Sequence, residues 1–208
     1  GEHVVINSFK RLGRTFIELT KQKHIFVFLL AFFFYIDGVY TVIDMATAYG
    51  QALGLDSTGL LLALLVTQIV AFPCVLIFSR LVKKISSETI ITICIAAYFC
   101  IAVYAYWLDT QFDFWLLAVL VGMFQGTIQA LSRSYFAKII PAEKSGEFFG
   151  IYDICGKGAS VIGTALVSVL SQLTGSINIG VSALSVMFLI GLVLFRFSAK
   201  LNAEHKKV

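Results

Sequence analysis

The lysines and arginines of this chain interrupt its apolar sequence at intervals that admit one broad architecture. Six apolar stretches, residues 25–50, 58–80, 88–108, 114–135, 147–172 and 177–199, are each long enough to cross a bilayer as a helix, since roughly 20 apolar residues match the hydrocarbon thickness. Ahead of the first lie Lys10, Arg11, Arg14, Lys21 and Lys23. Arg80, Lys83 and Lys84 separate the second from the third, and Arg133, Lys138 and Lys144 the fourth from the fifth. Arg196, Lys200, Lys206 and Lys207 close the chain. The other three connections hold no Lys or Arg, only Asp56, Asp109 and Asp113. Basic connections stay on the cytoplasmic side of a membrane, so the expected fold is an all-α membrane protein of six transmembrane helices with both termini cytoplasmic. Of 16 basic residues, only Lys157 lies outside this pattern.

Composition narrows the function classes. With 59% hydrophobic and 13% charged residues, the chain is far from the make-up of a soluble domain. Its net charge of +4 sits in the connections and is read as anchoring to the bilayer, not as binding of nucleic acid. Cys74, Cys94, Cys100 and Cys155 all fall inside spans and are read as small packing residues, with neither a disulfide framework nor a metal site. His3, His24 and His205 lie outside the spans, and no nucleophile-and-base set emerges. No catalytic residue, metal or cofactor is expected, and the chain is not read as an enzyme.

The flanks carry their own signals. In residues 1–24, Val5, Phe9, Leu12, Phe16 and Leu19 recur at steps of four and three, while Lys10, Arg11, Arg14 and Glu18 take other faces. This predicts an amphipathic linker helix on the cytoplasmic interface; a soluble helix packed on another domain is the alternative. Residues 200–208 form a basic cytoplasmic tail. The chain opens on Gly1 rather than Met and is expected to be part of a longer one. Inside the spans, Pro73 predicts a bend. Gly122, Gly126 and Ala130 form a small-residue stripe for close helix approach, and Gly150, Gly156, Gly158 and Gly163 are read the same way. Tyr98, Tyr104 and Tyr106 are expected at the lipid face or the interface.

Ionisable groups within hydrocarbon are costly and so tend to face a bundle interior or a watery cavity. Asp37 and Asp44 stand seven residues apart on one helix face, with Tyr40 and Thr41 between them. Counting along the span places Asp37 about 18 Å deep and Asp44 about 28 Å along. Asp153 and Lys157 have the i, i+4 spacing of an ion pair, with Lys157 about 15 Å in. Gln125, Gln129 and Arg133 form one stripe at steps of four. Asp37, Gln125 and Lys157 are therefore expected at a common depth, as a polar site for a small charged solute, with Asp37 a candidate for a coupling proton. The competing reading is structural: an intrahelical Asp153–Lys157 pair, an Asp37 stabilising an interhelical contact, and glutamines bridging helices.

Three runs resemble a known family. They are 122–141 (GMFQGTIQALSRSYFAKIIP), continuing through 147–157 (EFFGIYDICGK), then 28–41 (FLLAFFFYIDGVYT) and 68–73 (QIVAFP). Together they resemble the vacuole effluxer-like branch of the major facilitator superfamily, and the chain is similar to the C-terminal half of such a protein, helices seven to twelve. The resemblance implies a secondary transporter working by alternating access, each six-helix half being an inverted pair of three-helix repeats.

It further implies that Asp37, Gln125 and Lys157 stand at the pathway; with Thr41, Asp44, Gln129 and Asp153 from the polar faces above, they make up the expected substrate and proton pathway. Arg80, Lys83, Lys84 and Arg133 are the implied cytoplasmic gating or anchoring residues. The implied partners are the bilayer, a small amino-acid-like solute, and either an N-terminal six-helix half or a second copy of this chain as a homodimer; a bacterial inner membrane is the expected location. Two departures stand out. Asn is expected at the position of Asp153, and the loop 79–86 (SRLVKKIS) keeps basic residues but lacks the glycines and aspartate usual in the superfamily's gating loop. A non-transporting receptor or scaffold, and a lipid-handling protein with a sideways apolar groove, are the alternatives on the same fold.

Overall fold

Helix-capping residues at the polar connections mark where three of the spans begin. The computed structural model describes residues 1–52 and 54–208, and the side chains of all of these but Thr47. Helix α1 (Glu2–Lys21) precedes α2 (Lys23–Ala52), α3 (Ser57–Leu81) and α4 (Ser87–Tyr104), which ends in a 3-10 turn at Ala105–Trp107. Then follow α5 (Gln111–Ile139), α6 (Ser145–Lys157), α7 (Val161–Thr174), α8 (Ile177–Ser182) and α9 (Leu184–His205). Two of the acidic residues of the non-basic connections, Asp56 and Asp113, take part in caps. Asp56 accepts from the Gly59 N–H at 2.7 Å, and Thr110 with Asp113 forms a reciprocal capping box at the start of α5, which satisfies amides that helix ends leave open. Ser86 caps α4 in the same way.

Six helical segments are long and apolar enough to cross a membrane: Lys23–Ala46, Ser57–Leu81, Ser87–Trp107, Gln111–Ile139, Ala142–Thr174 and Ile177–His205. The fold is all-α, with no strand among the described residues. Two of the six segments are interrupted. The sixth is α8 plus α9, and the fifth breaks into α6 and α7 across 158–160, where the sequence predicts one continuous helix.

The main packing relations are α2 on α9, α3 on α5, α4 on α9 and α4 on α5, with α2 also touching α6 and α7. Exchanging the first three spans for the last three maps these relations onto one another: α3–α5 becomes the fifth span on α2, and α4–α5 becomes α9–α2. That is the contact pattern of a three-plus-three repeat. An aromatic cluster joins α2, α5, α6 and α9, with Phe28, Phe136 and Phe195 fully buried and Phe32 stacked on Tyr152 at 4.3 Å.

The basic segments gather at one end of the bundle. There, Lys144 meets Glu18 at 2.6 Å and His24 stacks on His205 at 4.3 Å. His24, read from sequence as outside the spans, is buried in the first turn of α2. Asn178 donates to the Leu108 carbonyl at the opposite end.

Tyr98 also departs from expectation. It is fully buried, stacked on Phe188 and hydrogen-bonded to the Val121 carbonyl, because its face of α4 packs against α5 and α9. Tyr104 is half-buried and donates to Asp113; Tyr106 is exposed.

Among the glycines, Gly122 meets the expectation of close approach: a Cβ there would lie 2.6 Å from the Thr67 carbonyl oxygen. Gly163 is as tight, facing Thr41 and Asp37, whereas Gly150 and Gly156 have ordinary room. α3 stays helical through Pro73.

Candidate functional site

A cavity of about 550 Å³ opens at the faces of α2, α5 and α6. Its walls include Tyr40 and Asp44 of α2, Gln129 and Arg133 of α5, and Asp153 and Lys157 of α6. Phe32 and Tyr152 supply an aromatic floor. The i, i+4 steps of Gln129–Arg133 and Asp153–Lys157 put each pair on one helix face, which is why two helices suffice to present four polar groups together. The cavity thus holds two cations and two carboxylates.

Their pairing differs from the spacing-based expectation. Asp153 does not bond Lys157. It accepts from Arg133 Nη1 at 3.1 Å, across from α5. The Arg133 guanidinium also lies 4.8 Å from the Phe149 ring centroid and 5.9 Å from that of Tyr152, the cation-over-ring contact that Arg favours. Lys157, exposed at the last turn of α6, makes no ion pair or hydrogen bond among the described residues.

Asp37 is placed elsewhere. It is fully buried behind the cavity wall, where its Oδ1 accepts from the Ser160 N–H at 2.7 Å and the Gly163 N–H at 3.1 Å. Thr41, also fully buried, donates to the Asp37 carbonyl at 2.7 Å. Ser160 provides no side-chain cap to α7 and has φ of 82°, the single described non-glycine residue with positive φ. The carboxylate of α2 therefore does for α7 what an N-cap residue ordinarily does from within its own helix. Irregular backbone at membrane depth survives only where it is enclosed by protein or lines a cavity; in the break at 158–160, Ala159 is buried and both Ala159 and Ser160 line the cavity. Asp37 Oδ2 has no hydrogen-bond partner among the described residues.

Gln125 is separated from both groups. It lines a second, apolar cavity of about 100 Å³ between α2, α3, α4 and α5, together with Met45, Tyr49, Leu64, Gln68 and Phe114. The common level expected for Asp37, Gln125 and Lys157 thus does not become one site, because the stripe on α5 passes between two cavities. Arg80, Lys83 and Lys84 are exposed at the end of α3 and in the turn after it, and they line neither cavity. Sequence reading also missed three contributors. Tyr152 and Phe32 look like core aromatics in one dimension, and Ser160 falls inside a span that the sequence presents as continuous. The signal of the break lies in the small residues at 156, 158, 159 and 160, of which Gly156 and Gly158 also fit a packing stripe with Gly150 and Gly163.

The fold and the cavity define a multi-pass integral membrane protein built as a major-facilitator half. The chain belongs to the family of Atg22-like vacuole effluxers, whose description, "Vacuole effluxer Atg22 like", matches residues 1–207.

It is 49% identical over 195 residues to the MFS-type transporter YxiO of Bacillus subtilis (strain 168), taking in 94% of this chain and 46% of YxiO. It is 28% identical over 205 residues to Autophagy-related protein 22-1 of Aspergillus niger, covering 90% of this chain and 33% of that protein. Identity to Autophagy-related protein 22 of Saccharomyces cerevisiae (strain ATCC 204508 / S288c) is 29% over 180 residues, covering 80% and 34%. The chain spans less than half the length of these relatives.

Proposed function

We propose that this chain forms the C-terminal half of a secondary transporter, and that the cavity between α2, α5 and α6 is one wall of its solute path. The observation that carries this reading is the charge arrangement of that cavity. Lys157 is a cation without a partner among the described residues, Asp44 lies on the facing helix, and Arg133 and Asp153 close the remaining side. A small zwitterion such as an amino acid presents a carboxylate and an ammonium at one end. Lys157 offers charge-assisted hydrogen bonds to the first and Asp44 to the second, while Tyr152 and Phe32 suit an apolar side chain. The cavity volume of about 550 Å³ falls within the usual range for small-molecule sites. The family relationship to Atg22-like effluxers supports transport across a membrane.

The partner in this reading is an N-terminal six-helix half that closes the cavity from the other side; a second copy of this chain is the alternative. The basic end of the bundle is assigned to the cytoplasm by the distribution of Lys and Arg, in a bacterial inner membrane. Asp37 is the proposed coupling-proton site. Its Oδ1 holds the two amides of α7, and its unpartnered Oδ2 is free to take a proton. A lipid-handling reading is disfavoured by the apolar cavity, whose volume of about 100 Å³ is below the ~150 Å³ that accommodates benzene.

The test is solute uptake by the full-length transporter in proteoliposomes, with and without a pH gradient. Lys157→Met should abolish binding of carboxylate-bearing solutes, and Asp37→Asn should leave uptake that no longer responds to the gradient. Undiminished binding by Lys157→Met would overturn the site; an unchanged gradient response in Asp37→Asn would overturn the coupling role.

A further inference from the structure

Helix α1 presents three distinct faces, and two of them have no partner in the bundle. At 100° per residue, Leu12, Thr15 and Leu19 occupy one sector and pack on the bundle; Thr15 and Leu19 are buried there. Val5, Ile6, Phe9, Phe16 and Ile17 occupy a second sector, and all are exposed, Phe9 by 70%. Lys10, Arg14 and Lys21 fall together in the third, also exposed. A helix apolar on its second third and cationic on its last third, with the remainder against protein, has the cross-section of a segment lying at a membrane surface beside a bundle.

The same helix is tied to α6. Thr15 Oγ1 donates to Glu147 Oε2 at 2.9 Å, Arg11 approaches Glu147 at 4.0 Å, and Lys144 meets Glu18 at 2.6 Å. The two carboxylates are thus engaged at the α6 junction, which leaves the Lys10–Arg14–Lys21 stripe with no acidic side chain against it.

We propose that α1 is a docking element for an anionic membrane surface, and that by docking it clamps the first turn of α6, the half-helix whose far end carries Asp153 and Lys157. The partner is the lipid surface itself: the exposed aromatic and aliphatic side chains enter the acyl boundary while the cationic stripe meets anionic headgroups. Because α6 is separated from α7 by the break at 158–160, its first turn is held by its packing on α2 and by its contacts with α1, and not by a continuous helix below it. Membrane charge therefore acts on the orientation of α6 through the Thr15–Glu147 and Glu18–Lys144 contacts. This inference stands apart from the identity of any transported solute.

The experiment is hydrogen–deuterium exchange of the full-length protein in nanodiscs of phosphatidylcholine, with and without phosphatidylglycerol. Peptides from α1 and from the first turns of α6 are followed, with α4 as internal reference for intact folding. In the wild type, phosphatidylglycerol should slow exchange in α1 and in 145–152 together. Lys10→Gln/Arg14→Gln/Lys21→Gln should remove that difference, since each basic residue contributes roughly fivefold to surface attraction, on the order of a hundredfold for three. Phe9→Asp/Phe16→Asp should raise α1 exchange in both lipids. The proposal is overturned if α1 exchange is the same in both lipids and indifferent to the triple variant, which would place the apolar face against another protein segment. It is overturned equally if α1 responds and 145–152 does not, since the clamp would then be absent.

Discussion

Asp37 on α2 holds the backbone of Ser160 at the point where the fifth span breaks. The Ser160 N–H donates to Oδ1 at 2.7 Å, and the same oxygen accepts from Gly163 at 3.1 Å. A residue read from sequence as an ionisable group at mid-membrane is therefore also the cap of a half-helix on another element. The geometry has consequences that separate charge from shape.

Asp37→Asn retains a carbonyl oxygen for the two amides and should fold with nearly unchanged stability. Asp37→Ala leaves both amides buried without a partner, each worth about 1–3 kcal/mol, and should markedly lower the apparent melting temperature. Exchange of the amides at 160–164 should rise in the Ala variant and stay low in the Asn variant. Equal behaviour of the two would refute the capping role.

Ser160 has φ of 82°, a conformation that costs an L residue with a Cβ about 1–2 kcal/mol relative to glycine. Ser160→Gly should therefore raise the melting temperature slightly, and Ser160→Val should lower it. The check is thermal unfolding of both variants in the same detergent.

Close approach of helices makes Gly163 and Gly122 intolerant of a methyl group. A Cβ at Gly163 meets Thr41 and Asp37, and one at Gly122 lies 2.6 Å from the Thr67 carbonyl oxygen. Gly163→Ala and Gly122→Ala should each lose about 1–3 kcal/mol through overpacking. Gly150→Ala and Gly156→Ala, where the space is ordinary, should be neutral or better, and the four melting curves measured side by side decide the matter.

The Arg133–Asp153 pair is half exposed on both sides, at 57% and 48%. Exposed ion pairs contribute about 0–1 kcal/mol, so Asp153→Asn should leave stability within that range. It should also release the Arg133 guanidinium into the cavity and strengthen binding of anionic solutes several-fold. A binding isotherm that weakens instead would show that Asp153 serves the solute directly.

Tyr35 and Ser132 share a buried hydrogen bond of 2.6 Å between α2 and α5. Tyr35→Phe strands the serine hydroxyl and Ser132→Ala strands the phenol, each at about 1–3 kcal/mol. The double variant should lose less than the sum of the two, because no polar atom is then left alone. Denaturation of all three variants provides the cycle.

The number of spans was legible because hydrocarbon imposes its thickness on every crossing helix, and the basic residues mark one end of each. The close contact at Gly122 was legible too, since only small residues at steps of four let backbones touch. The break in the fifth span was not, although Gly158 and Ser160 stand in the sequence. Small residues serve packing and interruption alike, and the deciding partner, Asp37, lies on a different helix. The same limit applies to the charges of the cavity. The i, i+4 rule pairs Asp153 with Lys157, but α5 brings Arg133 closer in its preferred geometry over the Phe149 ring.

The sequence by itself determined a six-span helical membrane protein, the clustering of its basic connections and its family resemblance, because these follow from periodicity, length and local composition. Only the tertiary structure decided which polar residues share a cavity. It separated Gln125 from Gln129 and Arg133, withdrew Asp37 behind the wall to cap α7, and left Lys157 facing the cavity without a partner among the described residues. The reason is physical. Helical spacing specifies the face a side chain occupies, whereas the group that face meets depends on how neighbouring helices are packed and where a backbone is broken.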